Sequence, residues 1–393
     1  LIVVLLFSSI AAAPYQQALQ TPMEDLLDSL GGYECFEGSA FTCVTINVPL
    51  DHFNPSDTRA LDVTFAVLPA AGARKGMFVT ATGGPGYSGI SSADYYLPGF
   101  GEEVSNSFDI VFFDQRGLLY SGDQACPTAA SAFYQRDARG KTPQQEAALK
   151  QSSSAFSAGC VNEVSDPSLL PYLGTKQAVE DLEIFRQLVG DEKFWLYGES
   201  YGTQYAQTYA ASHSDHLAGL VLDGTVDLTL DGFNYYQQQT QAFSDVLTAS
   251  LETCNDDSAC RKDMLGDAVR GYDTLAKILE KRNLHFRFPL ANGKSAYRSF
   301  TFANLEFVAA SQVYSERDRM MFVRALAAFT SKLDMIPLAR LFYLDLGVDP
   351  QTLDVIPDPT YSEAVFYGVE CQDYGYPGSS PEEKANTYLA TVD

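Results

Sequence analysis

Phe194-Trp195-Leu196-Tyr197-Gly198-Glu199-Ser200-Tyr201-Gly202-Thr203-Gln204 is the stretch that decides the architecture of this chain. Its first four residues are apolar and bulky, a short strand buried in a sheet. From Gln204 to Ala211 the composition suits a helix. A strand that passes into a helix this abruptly needs a sharp turn. At such a turn, side chains two positions to either side of the apex collide with the converging strand and helix. Gly198 and Gly202 are therefore predicted as structural necessities, with Ser200 in a strained backbone conformation and its hydroxyl exposed above the sheet edge. The start of the helix presents the Tyr201 backbone N–H to any oxyanion that develops there. Ser200 is the predicted nucleophile.

Working outward, further strands are predicted at Cys43 to Leu50, Leu61 to Leu68, Met77 to Ala81, Phe108 to Phe113 and Leu217 to Leu222. Val179, Leu182, Phe185 and Leu188 repeat at a spacing of three, which marks one face of a helix over Thr175 to Val189. A short helix is expected over Asp25 to Leu30. Strands alternating with helices predict an α/β fold, a mainly parallel sheet covered by helices on both faces. Residues 231–365 lose that alternation and become rich in aromatic, Gln and Ala residues, as an inserted helical cap would be. The expected division is a partial signal peptide at 1–13, the N-terminal part of the sheet core at 14–230, the cap at 231–365, and a truncated return to the core at 366–393.

Two more motifs lie at ends of predicted strands. Thr82-Gly83-Gly84-Pro85-Gly86 follows Met77 to Ala81, where a glycine loop brings backbone close to substrate; Gly84 is the expected second oxyanion donor, with Gly83 its neighbour. Asp114-Gln115-Arg116-Gly117 follows Phe108 to Phe113, and Arg116 is expected to brace the neighbouring oxyanion loop through carbonyl oxygens. These two motifs, with Gly198-Glu199-Ser200-Tyr201-Gly202-Thr203, resemble in order and spacing the α/β-hydrolase serine aminopeptidases: the proline iminopeptidase group and, closer, the secreted tripeptidyl-aminopeptidase-like proteins. Val48-Pro49-Leu50-Asp51 and Asp223-Gly224 add to the likeness, Val369-Glu370-Cys371-Gln372-Asp373 more faintly. Thr82, where proline iminopeptidases usually carry His, favours the second group. The resemblance implies acyl transfer to Ser200 followed by hydrolysis, with a peptide as substrate. An exopeptidase must also hold a free ammonium, for which Glu199, Glu370 and Asp373 are candidates. A secreted esterase or lipase of the same fold and a non-catalytic hydrolase-fold binding protein are the alternatives.

The 393 residues carry a net charge of −24, which disfavours nucleic acid and anionic membrane surfaces as partners. No metal and no organic cofactor is expected. An apolar run from Leu1 ending in Ala11-Ala12-Ala13 reads as a signal peptide, hence a secreted protein. Cysteine spacing then predicts disulfides Cys35–Cys43, Cys126–Cys160 and Cys254–Cys260, leaving Cys371 unpaired. The four histidines create a difficulty. A serine hydrolase of this fold needs a His base after the nucleophile. His213 and His216 are at the far end of the elbow helix, ~20 Å away at ~1.5 Å per residue. His285 lies in the cap between Arg282 and Arg287, and His52 precedes the elbow. The expectation is a chain cut at both ends, without the triad Asp and His, with no histidine within about 4 Å of Ser200 and no turnover.

Overall fold

Seven strands form the central sheet: β1 (Tyr33–Glu34), β2 (Thr42–Pro49), β3 (Ala60–Leu68), β4 (Met77–Ala81), β5 (Asp109–Phe113), β6 (Phe194–Glu199) and β7 (Leu217–Asp223). The computed structural model describes residues 22–137, 139–375, 378–380 and 382–384. The signal-like run at 1–13 lies outside the described residues. Strand order is β1-β2-β3-β5-β4-β6-β7. The pairs from β1 to β5 are antiparallel, and β5, β4, β6 and β7 run parallel. The sheet is thus mixed but mainly parallel. Every residue of β5 is buried, as the continuous apolar run requires. Register places Ala81 beside Gly198 and Gly198 beside Leu222, so the carboxyl ends of β4, β6 and β7 finish level with one another. Loops leaving those ends meet at one place, where open α/β sheets bind their ligands.

The helix Thr175–Val189 lays Val179, Leu182 and Phe185 on the sheet, and Phe185 stacks on Phe65 with ring centroids 4.0 Å apart. Leu188, the fourth residue of the predicted stripe, is 44% exposed. It falls in the last turn before the left-handed Gly190 (φ 80°), where the helix ends. Among the described residues no helix is long and apolar enough to cross a membrane.

Residues beyond Gly232 build a hydrophobic cluster of their own around Leu275, Leu279, Phe288, Leu305, Leu326 and Leu338. This region is not purely helical, contrary to expectation. An antiparallel hairpin of β8 (Leu284–Pro289) and β9 (Ser295–Phe300) interrupts it. The turn holds Asn292-Gly293 with Gly293 at φ 77°, a residue pair that suits a tight hairpin turn. At Thr360, whose carbonyl accepts from Ser88 N at 2.8 Å, the chain comes back to the loop that follows β4.

All three disulfides form as predicted, and Cys371 is free. Cys126–Cys160 joins the start of the helix Pro127–Tyr134 to the helix Pro143–Glu163, across a separation of 34 residues. Closing a loop of that length in the unfolded chain is worth about 3–4 kcal/mol. The double substitution Cys126→Ser/Cys160→Ser is expected to lower stability by about that amount in equilibrium urea unfolding. A loss below about 1 kcal/mol would contradict this chain-entropy account.

Candidate active site

Ser200 has φ 53° and ψ −121°, a left-handed conformation that a non-glycine residue holds only under constraint. The constraint comes from both sides. Ser200 N donates to Asp223 O at the end of β7 (2.8 Å), and Thr203 Oγ1 donates to Ser200 O (2.7 Å). A Cβ on Gly198 would lie 2.2 Å from Gly202 O, and one on Gly202 would lie 1.9 Å from Ala81 O. Both glycines are therefore obligatory, for the steric reason the spacing implies. Tyr201 is the first residue of the helix Tyr201–His213, so its N–H has no partner within that helix. Its side chain is buried, with the hydroxyl 2.6 Å from Thr175 Oγ1 and accepting from Gln115 Nε2 at 3.1 Å. Burial pushes the Tyr201 phenol well above its ordinary pKa.

The glycine loop after β4 lies directly against Ser200. A Cβ on Gly83 would stand 3.2 Å from Ser200 Cβ and 3.7 Å from Ser200 Oγ. Gly84 follows at φ 129° in a cis peptide with Pro85, turned toward the backbone of Gly86 and Tyr87. The structure thus brings Ser200, Tyr201 and Gly83 together, with Gly84, the expected donor, one residue further along the loop.

Arg116 does not brace this loop. Its guanidinium is fully buried elsewhere, paired two-pronged with Asp181 (2.8 and 2.6 Å) and donating to the carbonyls of Leu50 (2.7 Å), Pro49 (3.2 Å) and Tyr172 (3.2 Å). A guanidinium buried away from water needs acceptors for its five N–H groups, and this cluster supplies them. His52 Nε2 adds a second contact to Asp181 at 2.7 Å. The loop is braced instead by Asp114, which accepts from Ser88 Oγ (2.7 Å) and Ile90 N (3.1 Å) at the loop's exit and from Tyr120 N (3.0 Å). Burial raises the Asp114 carboxyl pKa against these hydrogen bonds.

The three candidate ammonium ligands have different surroundings. Asp373 is occupied: it accepts from the backbone N and hydroxyl of Thr175 and from Gln204 Nε2 (2.8 Å), capping the helix Thr175–Val189. Glu199 accepts from the Tyr96 hydroxyl, and Glu370 from the Tyr236 hydroxyl, in different tyrosine clusters. Glu370 is only 7% exposed, and burial pushes its carboxyl up to about 7.

Sequence reasoning missed the segment that covers the oxyanion loop. Ser362 N donates to Gly86 O (2.9 Å), Tyr361 pairs with Tyr87 as an antiparallel bridge, and their rings lie 4.5 Å apart. A Cβ on Gly86 would meet Ser362 O at 2.6 Å, which leaves room there for glycine alone. The tyrosines are visible in the sequence, but nothing local links Tyr361 to Tyr87.

Among the described residues no histidine is hydrogen-bonded to Ser200. His52 pairs with Asp181, His213 with Glu180 (3.0 Å) and His216 with Glu183 (3.1 Å), while His285 stacks on Tyr297 in the hairpin.

A family model described as the alpha/beta hydrolase fold matches residues 77–261. The serine protease Hip1 of Mycobacterium tuberculosis (strain ATCC 25618 / H37Rv) is 29% identical over 226 residues, 56% of this chain and 42% of its own. The tripeptidyl aminopeptidase of Streptomyces lividans is 26% identical over 208 residues, 49% of this chain and 37% of its own. Carboxylesterase B of Mycobacterium tuberculosis (strain CDC 1551 / Oshkosh) is 29% identical over 222 residues, 56% of this chain and 42% of its own. The matches span about two fifths of these relatives' length. Sheet, elbow and comparisons agree on the architecture: the chain has the α/β-hydrolase fold, and it is distantly similar to the Hip1 serine protease and the tripeptidyl aminopeptidases.

Proposed function

We propose that the protein is a serine exopeptidase that releases residues or short peptides from peptide N-termini through an acyl-enzyme at Ser200. The observation that carries the chemistry is the elbow itself, with a strained Ser200 between two glycines that admit no side chain and a glycine loop packed against it. Ser200 Oγ attacks the scissile carbonyl, and the N–H groups of Tyr201 and Gly84 stabilise the oxyanion. The amine leaves, and water then releases the acyl group. Two named relatives, a serine protease and a tripeptidyl aminopeptidase, support the peptide substrate and the N-terminal direction. Attack by Ser200 needs a base. Among the described residues the four histidines pair or stack with groups other than Ser200, so the structure assigns none of them as that base.

Carboxylesterase B, with the same identity and coverage as Hip1, supports an esterase as the second reading. Chromogenic aminoacyl, tripeptidyl and short-chain ester substrates on the full-length protein separate the two. The exopeptidase reading expects free-amine peptide substrates to be cleaved well and their N-acetylated forms poorly. Ester cleavage alone would reject it, and so would indifference to N-acetylation.

Glu370 is the carboxylate proposed to hold the substrate ammonium, and its charge state makes this testable. With its carboxyl near 7, lowering the pH from 8 to 6 should protonate it and raise KM for free-amine peptides. Glu370→Gln should raise KM about tenfold or more at pH 8 and flatten that dependence. An unchanged KM profile would remove Glu370 from the site. The same group has a stability signature. Its folded pKa lies above the ordinary 4.5, so its favourable contribution is complete below that value and is lost as pH rises through about 7. Glu370→Gln should therefore leave stability nearly unchanged at pH 4 and raise it by about 2–3 kcal/mol at pH 8.

A further inference from the structure

At the far end of the elbow helix, away from Ser200, two histidines face two glutamates of the neighbouring helix. His213 closes the helix Tyr201–His213, and His216 ends the short turn that follows it. Glu180 and Glu183 lie one turn apart on the helix Thr175–Val189. Ligand atoms of Glu183, His213 and His216 all lie within 4.8 Å of one another. We propose that these three side chains form a binding site for a divalent transition-metal ion of the zinc type, a structural clamp between the two helices.

The geometry is close to what such an ion needs. Zinc takes imidazole nitrogen and carboxylate oxygen at about 2.0–2.2 Å in a tetrahedron, which sets neighbouring ligand atoms about 3.4 Å apart. His216 Nδ1 and Glu183 Oε2 are already 3.1 Å apart. The remaining separations, all under 4.8 Å, close with side-chain movements of about an ångström, in which His213 exchanges its hydrogen bond to Glu180 for the ion. The side chains of His213 and His216 are 18% and 35% exposed, against 6% for Glu183, so the ion would arrive from solvent and close on a fixed, buried carboxylate. The two imidazole rings lie nearly parallel, with centroids 5.8 Å apart.

The groups behind the ligands are arranged as they are in metal sites, where each ligand is itself held by hydrogen bonds. Tyr209 OH donates to Glu183 Oε2 at 2.7 Å, Gln187 Nε2 donates to Oε1 at 2.8 Å, and Arg186 spans both oxygens at 2.8 and 2.6 Å. Glu180 Oε1, 3.0 Å from His213 Nε2, adds a second carboxylate at the rim. The Arg186 charge opposes a cation, and Glu180 offsets it. Two imidazoles with one carboxylate select zinc, copper or nickel over calcium and magnesium, which prefer all-oxygen sites.

The test uses the full chain, stripped with EDTA and dialysed. Zinc chloride is titrated by calorimetry, with calcium and magnesium chloride in parallel, and thermal unfolding is followed with and without 100 µM zinc. The expected result is one zinc ion per chain, a rise in Tm of about 5 °C that EDTA reverses, and no response to calcium or magnesium. His213→Ala and His216→Ala should each weaken binding at least about tenfold, and the double variant should abolish it. Cobalt(II) gives a readout independent of stability, since a tetrahedral site shows strong visible absorption that the double variant should lack. Absence of zinc binding at 100 µM, or binding undiminished in the double variant, would overturn the proposal and leave two histidine–glutamate ion pairs.

Discussion

Ser200→Ala in the full-length protein is expected to abolish covalent labelling by a fluorophosphonate and to cut kcat on peptide substrates by about 10⁶-fold, leaving only what substrate binding and the oxyanion hole supply. The size of the effect follows from geometry. Ser200 is the residue held above the sheet edge by the turn, with Gly83 against it and the Tyr201 N–H beside it. Alanine leaves the φ of 53° and its cost in place, and it fills the same space, so the melting temperature should barely change. Loss of labelling in a protein that melts like the wild type therefore reports chemistry alone. Labelling that persists at another residue would move the nucleophile away from the elbow.

Arg116→Met should produce the largest loss of stability of any single substitution considered for this chain, about 3–5 kcal/mol in urea unfolding. Arg116 is 0% exposed and Asp181 2%, and removing the guanidinium strands a buried carboxylate together with the carbonyls of Pro49, Leu50 and Tyr172. A domain's total stability is about 5–15 kcal/mol, so this loss is a large part of it. His52 remains bonded to Asp181 and limits the damage. Arg116→Met combined with Asp181→Leu should recover much of the loss, because no buried charge is left alone. An Arg116→Met protein within about 1 kcal/mol of wild type would mean that water reaches this cluster and that the network is dispensable.

Much of the candidate site was legible along the chain. The run from Phe194 to Gln204 carries strand, turn and helix within eleven residues, and its two glycines are demanded by contacts the turn makes locally. The glycine loop and the Asp-Gln-Arg-Gly stretch each end a recognisable strand. Cys35–Cys43 and Cys254–Cys260 close loops too short to offer many other partners. The Asn292-Gly293 hairpin turn is equally local, and the expectation of a helical cap did not include it.

The sequence by itself therefore determined the main strands of the sheet, their order along the chain, the sharp turn around Ser200 and the disulfides, since each depends on residues within a few positions of one another or on residue type alone. Tertiary structure decided the partners. Asp373 became a helix cap through contacts with Thr175, 198 residues earlier, which withdrew it from ammonium binding. Arg116 found its carboxylate 65 residues away, and the loop it was expected to brace was held by Asp114. Ser362 and Tyr361 came to lie on the oxyanion loop from beyond the cap, and His213 and His216 met Glu180 and Glu183 across a helix pair. A charged side chain's role depends on which acceptors or donors burial leaves within hydrogen-bond reach, and the packing of segments far apart in the chain sets that environment.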